Sequence, residues 1–439
     1  MDKFFKVITY GCQMNIHDSE KLAGQMRERG FLSTEDENVA DVIVFNTCCV
    51  RENAEQHAYG NIGALKQLKK AKKNLIIAVG GCMTQQPGAG EKLKKTFPFV
   101  DIVFGTYNAD KFGELLDKKL SGEKVGVSVL DKEGKIVEGD NPLRTSFPNA
   151  WVNITYGCDN FCSYCIVPYV RGRERSRQMS DIIGEVKKLV ASGYKEITLL
   201  GQNVNSYGKN LPCGENFAEL LEEIDKIEGN YRLRFMSSHP KDLTEDLVKR
   251  ISVLKHVCHY IHLPMQAGSD RILRLMNRKY TGSEYLEKVA LIRKYMPDAT
   301  ISTDIMIGFP TETEEDFQQT LDICKKASFA NAFTFVYSKR SGTPAAEMEG
   351  QISDEVKKDR ITRLVDFQNG MTRTLSQTYL GKTITVLCED YDKKRDFYLG
   401  RDEYGRMGYF KLDVDLVGEF VDITVTSCNG ISLYGKVVK

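Results

Sequence analysis

Tyr156-Gly157-Cys158-Asp159-Asn160-Phe161-Cys162-Ser163-Tyr164-Cys165 packs three thiols into one short stretch with the spacing C-x3-C-x2-C. With 12 cysteines in 439 residues, chance would supply such a triplet roughly 0.01 times per chain. Zinc sites pair cysteines two to four residues apart and complete four ligands; no local fourth ligand follows here. A four-iron cluster takes one ligand per iron, so three cysteines leave one iron open to a small molecule carrying an amino and a carboxylate group. The apolar run 151–156 leads into the triplet and reads as a strand. Beyond it, strand patterns at 196–200, 233–236, 260–263, 300–307 and 332–337 alternate with helical patterns at 181–191, 217–227, 284–295 and 314–327. Six such βα units predict a partial parallel barrel, short of the eight that close a full one.

Residues 1–120 alternate in the same way. Strand patterns fall at 6–10, 41–46, 74–79 and 101–104, and helical ones at 18–29, stopped by Gly30, and 52–73. This predicts an open parallel sheet with helices on both faces. Tyr10-Gly11-Cys12, Asn46-Thr47-Cys48 and Gly80-Gly81-Cys82 each set a thiol just past a strand end. Ligands bind at that edge of open parallel sheets, so these cysteines are expected to converge on a joint metal site. Cys49 should point away from Cys48 and reads as structural, as do Cys213, Cys258, Cys324, Cys388 and Cys428. Residues 121–150, with Pro142 and Pro148 and little periodicity, read as a linker or wrapped connection. A long helical pattern from 353 to 379 precedes short strands at 383–387, 397–399, 407–411, 420–425 and 432–438, a small all-β barrel. The expected domains are thus 1–120, 121–150, 151–375 and 376–439.

Hydrophobic residues are 41% and charged residues 28%, ordinary for a globular chain. The formal net charge is +1, so any case for nucleic-acid binding must rest on local patches. No apolar run reaches the length of a membrane span. The start MDKFFKVITYGC reads as a strand rather than a signal peptide, which points to the cytoplasm. In a long chain with that address, many cysteines favour metal or catalytic thiols over a disulfide scaffold.

The C-x3-C-x-aromatic-C loop after the first barrel strand resembles the radical S-adenosylmethionine (SAM) superfamily, with Tyr164 as the aromatic that would shelter the adenine. The resemblance implies that the open iron binds the methionyl end of SAM, and that one electron releases a 5′-deoxyadenosyl radical able to take hydrogen from an unreactive C–H bond. Gly11-Cys12-Gln13-Met14-Asn15, Asn46-Thr47-Cys48, Gly81-Cys82 and a C-terminal barrel like the TRAM domain extend the likeness to the methylthiotransferases over nearly the whole chain. Residues 158–177, CDNFCSYCIVPYVRGRERSR, look most like the branch that converts N6-isopentenyladenosine at tRNA position 37 to its 2-methylthio form. The branch acting on a ribosomal-protein aspartate, or one acting on another tRNA adenosine, is the alternative. The family likeness implies two [4Fe-4S] clusters, one on Cys158, Cys162 and Cys165 and an auxiliary one on Cys12, Cys48 and Cys82. It also implies one SAM as methyl donor and one as radical source. The implied partners are the tRNA anticodon stem-loop, a reductant such as flavodoxin or ferredoxin and a sulfur source, with the chain a monomer.

Further polar residues sit at expected strand ends: Gln202 and Asn203, Ser237 with Ser238 and His239, Gln266, and Asp304. They are candidates for SAM contacts, weighed against simple caps and turns. Arg171, Arg173, Arg175 and Arg177 alternate, and in an extended segment would share one face suited to RNA phosphates. Arg271, Arg274 and Arg278 recur at helical spacing as a second basic stripe. Residues 376–439 hold nine Lys/Arg and ten Asp/Glu, so RNA binding there cannot rest on charge. Tyr391, Phe397, Tyr398, Tyr404, Tyr409 and Phe410 could instead stack bases, although half of them read equally as core. Two other classes compete with the enzyme: a two-cluster electron carrier with an RNA-binding tail, and a zinc-stabilised RNA-binding protein. Both would use four ligands per site, where this chain offers three.

Overall fold

The computed structural model describes residues 2–49, 52–134, 136, 141–412 and 414–438. The chain forms two compact units: residues 1–145, 155–159 and 165–177 make the first, and 146–154, 160–164 and 178–439 the second.

The first unit is a six-stranded parallel sheet in the order β2-β1-β3-β4-β5-β6. The strands are β1 (Lys3–Thr9), β2 (Phe31–Ser33), β3 (Val42–Thr47), β4 (Ile76–Gly81), β5 (Ile102–Phe104) and β6 (Gly126–Ser128). Strands β3 (VIVFNT) and β4 (IIAVGG) are buried at every position. Such continuous apolar runs belong to strands covered on both faces, which only parallel α/β sheets provide. Helices α1 (Gln13–Glu28), α2 (Glu52–Ala71), α3 (Cys82–Gln85), α4 (Ala89–Thr96) and α5 (Phe112–Leu120) connect the strands.

Helix α1 begins five residues before the expected start, because the Cys12 carbonyl already accepts from the amides of Asn15 and Ile16 at 2.9 and 3.2 Å. It ends as expected at Gly30, whose φ of +81° suits the left-handed residue that stops a helix. The stretch 121–150 contributes β6 to the sheet edge and then wraps along α1, where Leu143 N donates to Glu20 O and Arg144 pairs with the Glu20 carboxylate at 2.8 Å.

The chain then enters the second unit with β7 (Asn149–Asn153). It returns to the first for an antiparallel ribbon, β8 (Thr155–Tyr156) with β9 (Arg175–Ser176), and for helix α6 (Val167–Arg171). The rest of the second unit is built on β10 (Glu196–Leu200), β11 (Arg232–Phe235), β12 (Tyr260–His262), β13 (Thr300–Ile307) and β14 (Asn331–Val336). These form two three-stranded parallel sheets, β11-β10-β7 and β12-β13-β14. Backbone bonds from Leu233 N to His256 O and from Cys258 N to Leu233 O stitch them together, giving the partial six-strand barrel expected. One apolar core runs from Ala150 and Val152 through Leu199 and Leu233 to Ile305 and Phe329.

The 24-residue helix Asp354–Gln377 leads into a closed five-strand barrel: β15 (Thr383–Asp392), β16 (Phe397–Asp402), β17 (Met407–Phe410), β18 (Phe420–Asn429) and β19 (Ser432–Val437). Closure leaves no free strand edge. Arg234 fastens this barrel to the six-strand core. It pairs with Glu196 at 2.8 Å and donates to the carbonyls of Asp402 and Glu403. Both charges are almost fully buried. Among the described residues no helix is long and apolar enough to cross a membrane.

Two outcomes follow from this packing. Replacing Arg234 with Met strands Glu196 as a buried, uncompensated carboxylate, which should cost about 3–5 kcal/mol in a chemical-denaturation experiment. Gly81 has φ +104° and a Cβ there would lie 2.3 Å from Thr47 O, whereas Gly60, inside α2, faces open space. Gly81→Ala should therefore lower the melting temperature, while Gly60→Ala should raise stability by up to about 1 kcal/mol.

Candidate functional site

The first candidate site lies at the carboxyl edge of the parallel sheet. Strands β1, β3 and β4 are consecutive neighbours, with Thr9 opposite Asn46, and Thr47 opposite Gly81. Cys48 and Cys82 follow the last residues of β3 and β4 directly, and Cys12 caps α1 three residues beyond β1. Cys12 is exposed while Cys48 and Cys82 are buried.

Two glycines make this close approach possible. Gly11 has φ +118°, and a Cβ there would fall 2.7 Å from Cys48 Cβ and 3.0 Å from its sulfur; Gly81 carries the constraint described above. Polar side chains lock the three strand ends together. Asn15 donates to Thr47 O at 3.2 Å, Asn46 to Asn15 O at 2.8 Å and to Ser19 Oγ at 3.0 Å, and Thr47 Oγ1 to Gly80 O at 2.6 Å. The asparagines of the two short motifs are thus scaffold for the thiols.

Cys49 is buried, and its free thiol shares a hydrogen bond with that of Cys82. That bond, helped by the Arg171 guanidinium, pulls Cys82 down to about 6 against the opposing effect of burial. The same bond, followed by burial, pushes Cys49 well above the usual thiol range. That lowering favours the thiolate of Cys82, the form that binds metal.

The arginine run does not have the expected geometry. Arg171 ends helix α6, whose Pro168 and following Gly172, at φ +75°, replace an extended segment by a helix and a break. Arg171 is buried, with Nε 3.3 Å from Cys82 Sγ and Nη2 2.8 Å from Asp18 Oδ2. Arg177 is also buried. Arg173 is exposed in a two-bond pair with Asp159, and Arg175 is half-buried, donating to Gly134 O at 2.5 Å. No common face carries all four. A cavity of about 110 Å³ adjoins this edge, lined by Asp18, Lys21, Asn46, Tyr156, Arg171 and Arg175 among others.

The C-x3-C-x2-C loop divides between the units. Cys158 and Cys165 belong to the first and Cys162 to the second. In the first, Cys158 N donates to Gly172 O at 3.1 Å. Gly157, at φ +77°, could carry no Cβ, which would lie 2.1 Å from Arg173 O. In the second, Cys162 Sγ accepts from Arg278 Nη1 at 3.4 Å. Arg278 is buried and also bonds Tyr280 Oη and Pro264 O, so it is not part of a surface stripe. Ser163 and Asn277 tie the loop to the turn at 275–277 through Leu275 O and Phe161 O.

The SAM candidates all lie in the second unit. Tyr164 packs half-buried against its core. Asn203 and Ser238 follow β10 and β11; Asn203 Nδ2 is held by Asp242 at 2.7 Å, while Asn203 Oδ1 and Ser238 Oγ are buried with no hydrogen-bond partner among the described residues. Asn205, missed in the sequence, adds a third such atom, Nδ2. Gln202 is half-buried beside Asn203 in the chain. Ser237 and Gln266 both have φ +68°, the kind of strained strand-end backbone that clusters at binding sites. Gln266 N donates to Asp304 O at 2.8 Å, and the Asp304 carboxylate lies 3.6 Å from His262 Nε2. Burial, reinforced by Arg278, Lys241 and Lys209, pushes His239 down to about 2, so it is a neutral imidazole.

In the barrel, Tyr398 and Phe410 are core. Tyr404 donates to Asp298 at 2.7 Å and Tyr391 to Asp396 at 2.7 Å. Phe397, Tyr409 and Tyr434, on β16, β17 and β19, form a half-buried aromatic group. Tyr409 and Tyr434 stack at 5.1 Å, and Lys411 lies over Phe397 at 4.9 Å.

Among the described residues no three His, Cys, Asp or Glu side chains converge tightly enough to hold a single metal ion. A cluster sets its thiolates on separate irons and spreads them further apart than one ion does. The donor set fits such a group: in the first unit, three cysteines at neighbouring strand ends beside a buried arginine; in the second, orphaned polar atoms past the barrel strands, suited to a small polar ligand.

Three family models match the chain: "Uncharacterized protein family UPF0004" over residues 4–105, "Radical SAM superfamily" over 152–324 and "TRAM domain" over 377–438. Among solved structures, the fold is similar to the radical S-adenosylmethionine methyltransferase TsrM from Kitasatospora setae, at TM-score 0.59 and 14% identity over 79% of this chain and 75% of that one. It is also similar to the cobalamin-dependent S-adenosylmethionine radical enzyme OxsB, at TM-score 0.52 over 84% and 56% of the two chains. Proteins named tRNA-2-methylthio-N(6)-dimethylallyladenosine synthase are much nearer in sequence. That of Acetivibrio thermocellus is 51% identical over 100% of this chain and 91% of its own length, and that of Caldicellulosiruptor saccharolyticus 50% over 100% and 93%. With half its residues identical along its whole length to proteins of that name, the chain belongs to the tRNA-2-methylthio-N(6)-dimethylallyladenosine synthase family of the radical SAM superfamily.

Proposed function

We propose that this enzyme transfers a methylthio group to C2 of N6-isopentenyladenosine at position 37 of tRNA, using one SAM as methyl donor and another as radical source. Full-length identity of about one half to synthases named for that product carries the reading. The three thiols at neighbouring strand ends, distinct in sequence from the C-x3-C-x2-C loop, support it with a second place for an iron–sulfur group.

Cys158, Cys162 and Cys165 would hold one four-iron cluster, and Cys12, Cys48 and Cys82 the other. When bound, the clusters and SAM supply one-electron reduction, C–H activation and a carrier for sulfur. The protein's own contribution is placement and charge. Asn203, Asn205 and Ser238 offer buried polar atoms that a polar ligand would satisfy. Gln202, Ser237, Gln266 and Asp304 are proposed to share that role, with Tyr164 as the aromatic wall. Cys12, the exposed N-cap residue of α1, is the solvent-facing member of its group of three.

RNA binding falls to Arg173 and Arg175 rather than to the buried Arg171 and Arg177. It also falls to Phe397, Tyr409 and Tyr434, a stacking platform on a barrel without net positive charge. The anticodon stem-loop as the part of the tRNA engaged, a flavodoxin- or ferredoxin-type reductant, a separate sulfur source, a monomeric state and a cytoplasmic location complete the proposal, as do the domain limits 1–120, 151–375 and 376–439. A mass spectrum of tRNA nucleosides from cells with and without this chain tests it. Loss of the 2-methylthio nucleoside without the chain is expected; an unchanged tRNA with an altered ribosomal protein would establish the aspartate-modifying alternative.

Replacing Cys12, Cys48 and Cys82 together with Ala should halve the iron after anaerobic reconstitution. That variant should still release 5′-deoxyadenosine from SAM under reduction, yet attach no methylthio group. Mass spectrometry of both products checks this. Replacing Arg173 and Arg175 with Ala should flatten the slope of log affinity against log salt by about 0.7 for each phosphate that is no longer neutralised. Tyr409→Ala or Tyr434→Ala should instead weaken tRNA binding by about 1–3 kcal/mol for each base unstacked, with little change in that slope.

A further inference from the structure

We propose that Arg171 sets the reduction potential of the iron–sulfur group on Cys12, Cys48 and Cys82, by donating an N–H to the Cys82 sulfur from a guanidinium oriented by Asp18. The inference rests on the reading that these three cysteines hold a cluster.

Arg171 is 7% exposed. A guanidinium so buried needs negative partners, and five N–H donors need acceptors. The structure gives it the Asp18 carboxylate at 2.8 Å and the Cys82 sulfur at 3.3 Å, and Cys12 also acts on it electrostatically. A neutral thiol is a weak acceptor, while a thiolate is a strong, charge-assisted one. The arrangement therefore suits Cys82 as a metal-bound thiolate.

The aim of Arg171 is fixed from both sides. Ile166 and Val170 of the α6 region are buried in the sheet's own core, Thr106 Oγ1 donates to Val170 O, and Gly172 breaks the chain immediately afterwards. A positive charge and an N–H···S bond both stabilise the more negative, reduced state, which raises the potential. Asp18 acts in the opposite sense, because its charge disfavours the added electron.

A merely structural ion pair between α1 and α6 would touch the same atoms, so the test must separate the two. The full chain carrying Cys158→Ala, Cys162→Ala and Cys165→Ala is reconstituted anaerobically, so that one cluster is read, and its midpoint potential is followed by electron paramagnetic resonance. Arg171→Gln should lower the midpoint and Asp18→Asn, which keeps an acceptor for the guanidinium, should raise it. Arg171→Lys, which keeps the charge, should lie between wild type and Gln. Iron content should be unchanged in all three. Loosening of the site would move both midpoints in one direction, and that result, or no shift in either, overturns the proposal. If Arg171→Gln fails to fold, Asp18→Asn and Arg171→Lys decide: a midpoint that does not rise in the first overturns it. A folded triple-cysteine variant that binds no iron would defeat the cluster reading itself, and this inference with it.

Discussion

A parallel sheet brings the carboxyl ends of all its strands to one edge, and the rest of this protein's first unit depends on that. Three cysteines, 34 and 36 residues apart in sequence, come to one edge only because β1, β3 and β4 are consecutive neighbours with matched ends. The approach is close enough that the backbone beside two of them has no room for a side chain, which accounts for Gly11 and Gly81. Asn15, Asn46 and Thr47 spend their hydrogen bonds holding those ends in register. The thiols therefore sit directly at the ends of hydrogen-bonded elements, the placement a precise site favours.

Buried arginine is the second organising feature. In the first unit Arg171 bonds Cys82, and in the second Arg278 bonds Cys162. Arg234 joins Glu196 to the turn at Asp402 and Glu403 of the barrel. Each guanidinium is sealed from water, where an unmatched charge would cost several kcal/mol, on the order of a whole domain's net stability. Two of the three are matched in part by a cysteine sulfur. A cluster on three thiolates carries net negative charge, and a guanidinium beside one sulfur offsets it without occupying a coordination position.

The RNA contact proposed for the C-terminal barrel takes a different physical route. Its charges nearly balance, so long-range attraction to phosphate is weak. What it presents is a group of half-buried aromatic rings on three strands, Phe397, Tyr409 and Tyr434, with Lys411 over one of them. Stacking on such rings is short-range and tolerant of sequence, and so suits a loop whose bases are already unpaired.

Much of this was legible in the residue order. Local pattern is enough where one element decides the matter: the all-apolar runs of β3 and β4, the limits of β10 and β13, the C-x3-C-x2-C spacing, and a thiol just past each of three strands. What sequence could not supply was direction. Alternation in 171–177 promised one basic face, but Pro168 and Gly172 fold the segment into a helix and a break, turning Arg171 and Arg177 inward. Helical spacing put Arg278 in line with Arg271 and Arg274, but the helix Asp270–Leu275 stops short, and Asn277 at φ +58° swings Arg278 onto Cys162. A buried charged side chain goes wherever its partners lie, and these are 116 residues away for Arg278 (Cys162) and 153 and 89 away for Arg171 (Asp18 and Cys82). Residue type and spacing determined which chemistry this chain carries; only the tertiary structure decided which arginines serve sulfur and which face solvent, because long-range pairing leaves no trace in local pattern.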